Sequence, residues 1–377
     1  MTLNHGSDPS VTCKSHPLRR FGLVVFAAWL VLGAATVHAQ DPASPTPEAP
    51  KINITGFVDV YYEYDFNKVD PTFRAFDVQH NAFSLSLAEL AFAKGVTPES
   101  KVGFRVDLDF GKTADIVGSF EPEGVEGKEI YKNIQQAYGS LLTGKVQWDV
   151  GKFVTPHGAE VIESQDNWNY TRSMLFTLAI PFYHVGIRAT APVNDKLSVT
   201  GLVVNGWNNS SEMFGDVPCL AIQATVKPSS ELTWIANYMF GQEAPDDADT
   251  RHLFDTTVIL AVREKLSLMA NIDYGAEGDV SWWGIGGYAK YQMKEDWALV
   301  GRFEHLDDTD GGFMTLGTTA QSLTITSDHL MTENFRLRLE YRTDFADEPI
   351  FPNDDDTSKD SQTTLAFGLV VTFGGEI

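Results

Sequence analysis

The chain has 377 residues, of which 51 are acidic and 28 are basic, so its formal charge is −23. This balance argues against a nucleic-acid-binding protein, because such proteins carry a basic patch for the phosphates. The two cysteines, Cys13 and Cys219, are too few for a disulfide framework or a cysteine-based metal site.

The N-terminus differs in kind from the rest of the chain. Arg19 and Arg20 precede an uncharged run, Phe21 to Val37, which leads to small residues ending at Ala39. This order predicts a secretory signal peptide over residues 1–39, with cleavage at its end. The alternative is a membrane anchor, but this run of seventeen residues is shorter than the roughly 20 that a spanning helix needs. Cleavage would remove three basic residues and one acidic residue, so the charge of −23 would become −25.

The next segment, residues 40–50, is rich in proline and has no apolar run, which predicts an extended linker. Cys13 precedes the apolar run of the signal peptide, so it is not placed as a lipid-attachment cysteine would be. Residues 51–377 read as one domain.

Alternation with a period of two dominates this domain. In 102–110, VGFRVDLDF, apolar residues alternate with Arg105, Asp107 and Asp109, and FRLRLEYR at 335–342 repeats the pattern. Such alternation is typical of strands with one apolar face. The segments that follow it lie near residues 52–66, 80–95, 101–111, 133–142, 146–154, 183–191, 196–205, 217–227, 231–241, 253–262, 265–275, 282–293, 296–306, 315–326, 333–344 and 363–373. The second loses its phase around Ala88, which predicts a β-bulge.

The connections between these strands fall into two classes. After even-numbered strands they are short turns such as TGK, PVND and KED, and after odd-numbered strands they are mostly longer and acidic or rich in glycine. Short turns on one rim and long loops on the other are typical of an outer-membrane barrel. Aromatic residues at the strand ends would form its two interfacial girdles. They are Trp148 and Trp297 beside short turns, and Phe66, Phe110, Phe240 and Tyr274 beside long loops.

The predicted fold is therefore all-β, a transmembrane antiparallel up-and-down β-barrel of about 16 strands. Strands about 4.8 Å apart and tilted by about 40° give a backbone diameter near 32 Å, too wide for side chains alone to fill. The longest connection, Thr155 to Phe182, is rich in aromatic, acidic and amide residues. Because long loops without regular structure are usually functional, we expect it to fold into the barrel and narrow the channel.

Several stretches resemble the OmpL-like family of outer-membrane β-barrel porins. They are GKFVTPHGAEVIES, NYTRSMLFTLAIPF, HVGIR, VVNGWN and LRLEYRTDF, and the likeness covers roughly residues 51–373. The resemblance implies a pore in a Gram-negative outer membrane, reached through a cleaved signal peptide, and it leaves the solute open. The expected partners are outer-membrane lipid and lipopolysaccharide and the barrel-assembly machinery, and a homotrimer is one assembly to consider. The C-terminal strand ends in Phe373, the ending that barrel-assembly machinery reads in outer-membrane proteins, but four residues follow it.

If the apolar face of each strand meets lipid, the charged residues of the other face line the pore. The inserted loop would supply an acidic constriction, and the barrel a basic wall, so that a field crosses the narrowest part of the channel. The alternative is that the arginines pair with inward carboxylates such as Asp107, Asp109, Glu304 and Glu340 as structural contacts. The acidic residues are Glu160, Glu163 and Asp166, and the basic residues are Arg105, Arg188, Arg302, Arg336, Arg338 and Arg342.

Other chemistry has weaker support in the sequence. The acidic stretches at 307–310 and 354–356 could bind Ca²⁺, but neither has EF-hand spacing, so solvated loop charge is the favoured interpretation. The histidines of the domain are scattered singly, and no hydrolase, metalloprotease or nucleotide-binding motif is present. We therefore predict no enzyme activity, no metal and no cofactor.

The leading functional hypothesis is a porin for passive diffusion of small hydrophilic solutes or ions, narrowed by the loop at 155–182. The alternative is a barrel scaffold that sheathes a periplasmic or surface partner such as a cytochrome, which would need an open lumen. A third possibility is a soluble, β-rich, lectin-like protein.

Overall fold

The computed structural model describes residues 51–121, 131–211, 213, 218–243, 249–311 and 316–376. The predicted signal peptide and linker, residues 1–50, lie outside the described residues. Within the described part, sixteen strands form one closed sheet, and every neighbouring pair that closes it is antiparallel. The predicted fold class is therefore confirmed.

The strands follow one another around the barrel in chain order, and the last pairs with the first. They are β1 (Asn53–Asp65), β2 (Ala82–Lys94), β3 (Val102–Phe110), β4 (Ile134–Thr143), β5 (Val146–Val154), β6 (Tyr183–Asn194), β7 (Leu197–Val204), β8 (Cys219–Val226), β9 (Leu232–Gln242), β10 (Thr250–Arg263), β11 (Leu266–Glu277), β12 (Val280–Lys294), β13 (Trp297–Asp307), β14 (Thr319–Thr332), β15 (Phe335–Ala346) and β18 (Ser361–Glu376).

The remaining elements lie in the connections between strands. They are the helices α1 (Lys112–Ser119) and α2 (Met174–Leu178), a 3-10 turn at Ser164–Asp166, and a small hairpin of β16 (Phe351–Pro352) and β17 (Ser358–Lys359). Among the described residues, no helix is both long and apolar enough to span a bilayer.

The alternation of apolar and polar residues along each strand determines which side chains face outward. On β15, the Leu339 side chain is 47% exposed on the outer surface, whereas its neighbours Arg338 and Glu340 are 1% and 2% exposed inside. β1 follows the same rule, since Val58 faces out and Asp59 is buried within. The apolar face therefore points away from the lumen, as predicted, because successive strand residues alternate between the two faces of the sheet.

The predicted irregularity of β2 is present but lies slightly earlier in the chain. Asp59 of β1 pairs with Leu87, and the next residue, Val60, pairs with Leu85, so Ser86 is the extra residue of a bulge. Ser86 Oγ lies 3.1 Å from Thr113 Oγ1 of α1. The bulge thus coincides with the place where α1 packs on the inner wall.

The sorting of loops holds with two exceptions. Turns after even strands have two to seven residues and connections after odd strands have eleven or more, but β9 and β10 are joined by seven residues and β11 and β12 by only Gly278 and Asp279. Gly278 has φ 58°, which suits glycine in a tight hairpin turn. We refer to the two ends of the barrel as the short-turn rim and the long-loop rim.

The C-terminal strand is longer than predicted. Instead of ending at Phe373, β18 continues to Glu376, which pairs with Asn53 at the start of β1. The described part of the tail therefore extends the strand pairing that closes the barrel.

An apolar core lies within the lumen, in the half nearer the long-loop rim. Phe176 and Phe182 of the inserted loop contact Phe76 of the β1–β2 loop in tilted and edge-on arrangements, with ring centroids 5.3 to 6.2 Å apart. Wall residues Trp282 and Leu253 are buried in the same cluster. The wide barrel predicted from strand number thus contains folded-in loops, whose apolar side chains pack against the wall rather than facing water.

Candidate functional site

The segment between β5 and β6, residues 155–182, lies inside the barrel and is called the inserted loop below. Nearly all of its side chains from Ile162 to Phe182 are buried or half-buried. Its helix α2 is N-capped by Ser173, whose Oγ accepts a hydrogen bond from Phe176 N at 2.9 Å. The cap stabilises this short helix within the lumen.

Two wall carboxylates receive backbone amides of the inserted loop. Glu340 on β15 accepts hydrogen bonds from Tyr170 N at 2.6 Å and Thr171 N at 3.0 Å. Glu304 on β13 accepts one from Met174 N at 2.7 Å. Charged acceptors make stronger hydrogen bonds than neutral ones, so these contacts fix the loop against the wall opposite its origin.

Three of the predicted wall arginines bind carbonyl groups of the same loop. Arg338 donates to Asn167 O at 2.6 Å, Arg342 donates to Arg172 O at 2.6 Å, and Arg302 donates to Thr171 O at 2.6 Å. Each of these arginine side chains is at most 1% exposed. They hold the loop in place and do not face an open channel.

Glu160 of the inserted loop forms a direct ion pair with this wall. Its Oε1 lies 2.8 Å from Arg302 Nη1, and the two side chains are 2% and 0% exposed. Its other oxygen accepts a hydrogen bond from Ser173 N at 2.6 Å. A buried pair of this kind fixes geometry, and removal of either partner leaves an uncompensated charge.

Four of the other five predicted charges meet around one space beneath the inserted loop, which we call the lumen cavity. Its volume is about 590 Å³, and it lies towards the short-turn rim. Charged residues of both signs line it, namely Glu89, Glu163 and Asp166 together with Arg105 and Arg188. The structure thus brings together four of the nine predicted site residues, and Glu89 adds a fifth charge.

The two cavity arginines are each paired with a carboxylate that lies deeper in the wall. Arg105 Nε lies 2.8 Å from Asp107 Oδ2, and Arg188 Nη2 lies 2.9 Å from Asp149 Oδ2. The arginine side chains are 39% and 19% exposed, whereas the aspartates are 0% and 2% exposed. Each pair therefore presents its cation, and not its anion, to the lumen.

The ion pairs of the wall agree with the alternative in which the arginines make structural contacts with inward carboxylates. Arg302 also pairs with Glu304, Arg342 pairs with Asp344, and both Arg336 and Arg338 pair with Asp328. All six arginines thus have a carboxylate partner, as the structural interpretation expects. At Arg105 and Arg188 the pairing still leaves the cation facing the lumen, so pairing and pore lining are compatible.

Glu163 is the most enclosed of the acidic cavity residues. Gln135 Nε2 donates a hydrogen bond to its carboxylate at 2.5 Å, and burial raises the pKa of Glu163 above the usual carboxyl range. Asp166, three residues on, is exposed. The acidic side of the cavity therefore combines one buried and one solvated carboxyl from the same loop.

Arg336 lies apart from this group, at a smaller space near the short-turn rim. That cavity has a volume of about 260 Å³ and is lined by Arg336, Asp166 and Gln165 among others. Arg336 Nη1 donates to Gln165 O at 3.3 Å. Asp166 contributes to both cavities, so it lies between Arg336 and the arginines of the lumen cavity.

The sequence matches one family of known proteins. A family model described as "Putative beta-barrel porin-2, OmpL-like" matches residues 51–373. The chain belongs to this family. A search of curated proteins found no match.

Solved structures show the same fold as this OmpL-like chain at low sequence identity. The outer membrane channel DcaP of Acinetobacter baumannii aligns with TM-score 0.58 and 13% identity over 85% of this chain and 97% of its own. The anion-selective porin from Comamonas acidovorans gives 0.59 and 11% over 85% and 99%. OmpT of Vibrio cholerae in its trimer form gives 0.54 and 8% over 85% and 99%.

The OmpL-like chain also contains site residues that sequence reasoning missed. Arg172 Nη1 donates to Tyr170 O at 2.5 Å, its Nη2 donates to Ile162 O, and its guanidinium lies 5.0 Å from the Phe76 ring. It therefore holds the inserted loop in its own fold. The signal for it was a lone arginine within an otherwise uncharged stretch, NYTRSMLF.

The sequence predicts isolated histidines, but two of them lie close together in the structure. Thr155 Oγ1 lies 3.1 Å from His157 Nδ1 and 3.1 Å from His184 Nε2, so both imidazoles meet at the start of the inserted loop. Burial lowers the pKa of His157 to about 3, which keeps its ring neutral. The contact supports packing of the loop.

The acidic stretch at 354–356 makes hydrogen bonds within its own turn. Asp355 Oδ1 accepts hydrogen bonds from Thr357 N at 3.1 Å and from Asn353 Nδ2 at 2.8 Å. Bonds from the Thr357 and Asn353 side chains lower the pKa of Asp355 to about 2. In the described residues, no group of three or more His, Cys, Asp or Glu side chains is placed to hold a metal ion.

Proposed function

We propose that the chain forms an outer-membrane porin, a water-filled channel for passive diffusion of small hydrophilic solutes or ions. The inserted loop would be its constriction, and the observation that carries this proposal is the course of that loop through the lumen. A cavity lined by Glu163, Asp166, Arg105 and Arg188 lies beside the loop, and it supports this proposal. Charges held at a narrow point determine which ions pass.

The same arrangement weighs against the sheath hypothesis. A barrel that encloses a cytochrome or another partner needs a free lumen, whereas here Phe176, Phe182 and their neighbours are packed in the lumen as an apolar core. Membership of a porin family also supports a channel over an enzyme.

Export and assembly belong to the same proposal. A signal peptide over residues 1–39 would deliver the chain to the periplasm, and the barrel-assembly machinery would insert it among outer-membrane lipid and lipopolysaccharide. The trimer form of the similar Vibrio cholerae barrel supports a homotrimer as the assembly to test. Chemical cross-linking of the folded protein in detergent would reveal it, and a monomer alone would contradict it.

The channel is tested by single-channel recording of the purified, folded protein in a planar bilayer under a salt gradient. We expect discrete conductance steps and a small reversal potential, since both signs of charge line the cavity. Folded protein that inserts into the bilayer without conducting would overturn the proposal.

A further inference from the structure

Three lysines of the short-turn rim line one space, which we call the rim pocket. Lys145 lies in the turn after β4, Lys196 in the turn after β6, and Lys227 directly after β8. The rim pocket has a volume of about 640 Å³, and Asp195 is the one acid among the described residues that line it. Within the described part of the chain, none of the three lysines forms an ion pair. Three cations and one anion give the lining a net charge of +2.

The rim pocket is continuous with the inner wall of the barrel. Ser198 lines the rim pocket and also a second space of about 250 Å³, which Arg188 lines as well. Arg188 in turn lines the lumen cavity, so one side of the inner wall leads from that cavity to the short-turn rim. The wall residues of the second space are called the polar strip below, and they include Asp149, Arg188, Thr190, Ser198, Thr200 and Gln223.

The acid of the polar strip is already surrounded by donors. Asp149 is 2% exposed, and its carboxylate accepts hydrogen bonds from Ser140 Oγ at 2.7 Å, Gln147 Nε2 at 2.9 Å and Arg188 Nη2 at 2.9 Å. The charge of Arg188 also neutralises it, since the two form an ion pair. Asp149 therefore presents little negative charge to a solute that passes along the strip.

Neighbouring hydroxyl groups of the strip can bind a solute. Thr190 and Thr200 pair across β6 and β7, and their Oγ1 atoms lie 3.0 Å apart. A hydroxyl pair uses one O–H in its own hydrogen bond, so the second O–H and further lone pairs remain to bind a partner. The strip thus offers neutral donors and acceptors of the kind that suit a solute's own hydroxyl groups.

The cationic pocket and the hydroxyl pair lie close together. Ser198, which borders the rim pocket, is two residues from Thr200 on β7, a distance of about 6.6 Å along a strand. A three-carbon polyol that carries one phosphate is about this long. Lysine binds phosphate as a point charge, and its long side chain lets several lysines converge on one group.

We propose that the rim pocket and the polar strip bind small hydroxylated anions, namely phosphate monoesters of polyols. Lys145, Lys196 and Lys227 bind the phosphate, and the hydroxyls of Thr190 and Thr200 bind the polyol. This proposal rests on the channel function proposed above and names a class of solute for it. The selectivity between simple cations and anions is a separate property, set at the lumen cavity.

Binding can be measured without conduction, by titration calorimetry on the folded full-length protein in a non-ionic detergent at low salt. The probes are glycerol 3-phosphate, methyl phosphate, which lacks the hydroxyl groups, and glycerol, which lacks the charge. We expect glycerol 3-phosphate to bind about fivefold more tightly than methyl phosphate, because each added hydrogen bond contributes modestly. Glycerol should not bind at millimolar concentration.

Matched variants separate the two parts of the site. Changing Lys196 and Lys227 together to Gln should weaken binding of both phosphates about tenfold or more. Thr200→Val should reduce the affinity for glycerol 3-phosphate to that for methyl phosphate, and should leave methyl phosphate unaffected. The control changes Lys265 and Lys294 to Gln, which removes the same charge from other turns of this rim and should leave binding unchanged. Heat-resistant migration in detergent gels shows that each variant barrel is folded.

Other outcomes would overturn the proposal. Equal binding of the two phosphates would show that the polar strip takes no part, and equal losses in the lysine variant and its control would show a general effect of rim charge. Loss of binding in nanodiscs of phosphatidylglycerol would assign the lysines to lipid headgroups instead. Failure of glycerol 3-phosphate to bind at millimolar concentration would refute the site even if the protein conducts, whereas binding without conduction would refute only the channel.

Discussion

Arg302 joins three parts of the molecule at one buried point. Its guanidinium contacts Glu304 on its own strand at 3.0 Å, Glu160 of the inserted loop at 2.8 Å, and the carbonyl of Thr171. Replacing Arg302 with Met would leave two carboxylates buried without a cation. We expect the free energy of unfolding to fall by about 3–5 kcal/mol, measured by denaturant titration in detergent.

The control for this variant is Lys68→Met, because Lys68 and its partner Asp354 are 59% and 44% exposed, so water compensates for the lost ion pair. We expect no measurable loss of stability there. Similar losses at Arg302 and Lys68 would show that burial of Arg302 does not govern the stability of this wall.

Two adjacent residues of β8 test which face of the sheet meets lipid. Ile222 is 53% exposed on the outer face, whereas Gln223 faces inward and donates to Pro156 O at 3.1 Å. Ile222→Arg should destabilise the barrel by about 2–4 kcal/mol if the site is near the bilayer midplane, and Gln223→Arg should be tolerated. Folding titrations into lipid vesicles measure both, and equal tolerance would contradict the assignment of faces.

Titration of Glu163 predicts a pH dependence of ion selectivity. Because burial raises its pKa, Glu163 takes up a proton at a higher pH than solvated carboxyls do as the solution is acidified. The cavity then loses negative charge while Arg105 and Arg188 keep theirs. The reversal potential should therefore shift towards anions on mild acidification, and Glu163→Gln should remove this step. Persistence of the full shift in that variant would show that Glu163 is not the group that titrates.

The sequence alone predicts the positions of the strands, but it does not predict the contacts that hold the inserted loop in the lumen. A strand's alternation is local, so β3 and β15 could be predicted from eight or nine residues each. The loop is fixed by contacts between distant residues, such as Tyr170 N with Glu340, 170 positions apart. No pattern in the sequence distinguishes Arg338, which holds the loop, from Arg188, which faces the cavity.

Deletion of the inserted loop tests its role in conduction. Removing Gly158 to Asn169 should leave a folded, heat-resistant barrel, since the strand pairs do not depend on the loop, and should raise single-channel conductance. The control is deletion of Asp354 to Thr357, which lie at an exposed turn between β16 and β17 and should not affect conductance. Unchanged conductance after the first deletion would show that the loop does not limit flow.

For the whole molecule, net charge and local charge predict different selectivities. The mature chain would carry −25, which favours cations, but screening over about 8 Å at physiological salt weakens the effect of distant loop charge. We expect the charges of the lumen cavity to decide. Changing Glu163 and Asp166 to their amides should shift the reversal potential towards anions, and changing Arg105 and Arg188 to Gln should shift it towards cations.

The control replaces Asp354, Asp355 and Asp356 with Asn, which removes more charge than either pair but at an exposed turn. If that variant moves the reversal potential more than the cavity variants do, net charge and not the cavity sets selectivity. Glu160→Gln should shift it little, because Glu160 is already neutralised by Arg302 at 2.8 Å.

Because of the apolar core in the lumen, cooling should affect the stability of the inserted loop differently from that of the barrel around it. The inserted loop packs Phe176 and Phe182 away from water, so its docking depends on the hydrophobic effect and carries a heat-capacity change. That driving force weakens on cooling, whereas the surrounding strands are held by backbone hydrogen bonds. Chilling should therefore loosen the loop while the barrel stays closed, and near 5 °C the amide protection factors, corrected for the slower intrinsic exchange, should fall in residues 155–182 before they fall in the strands.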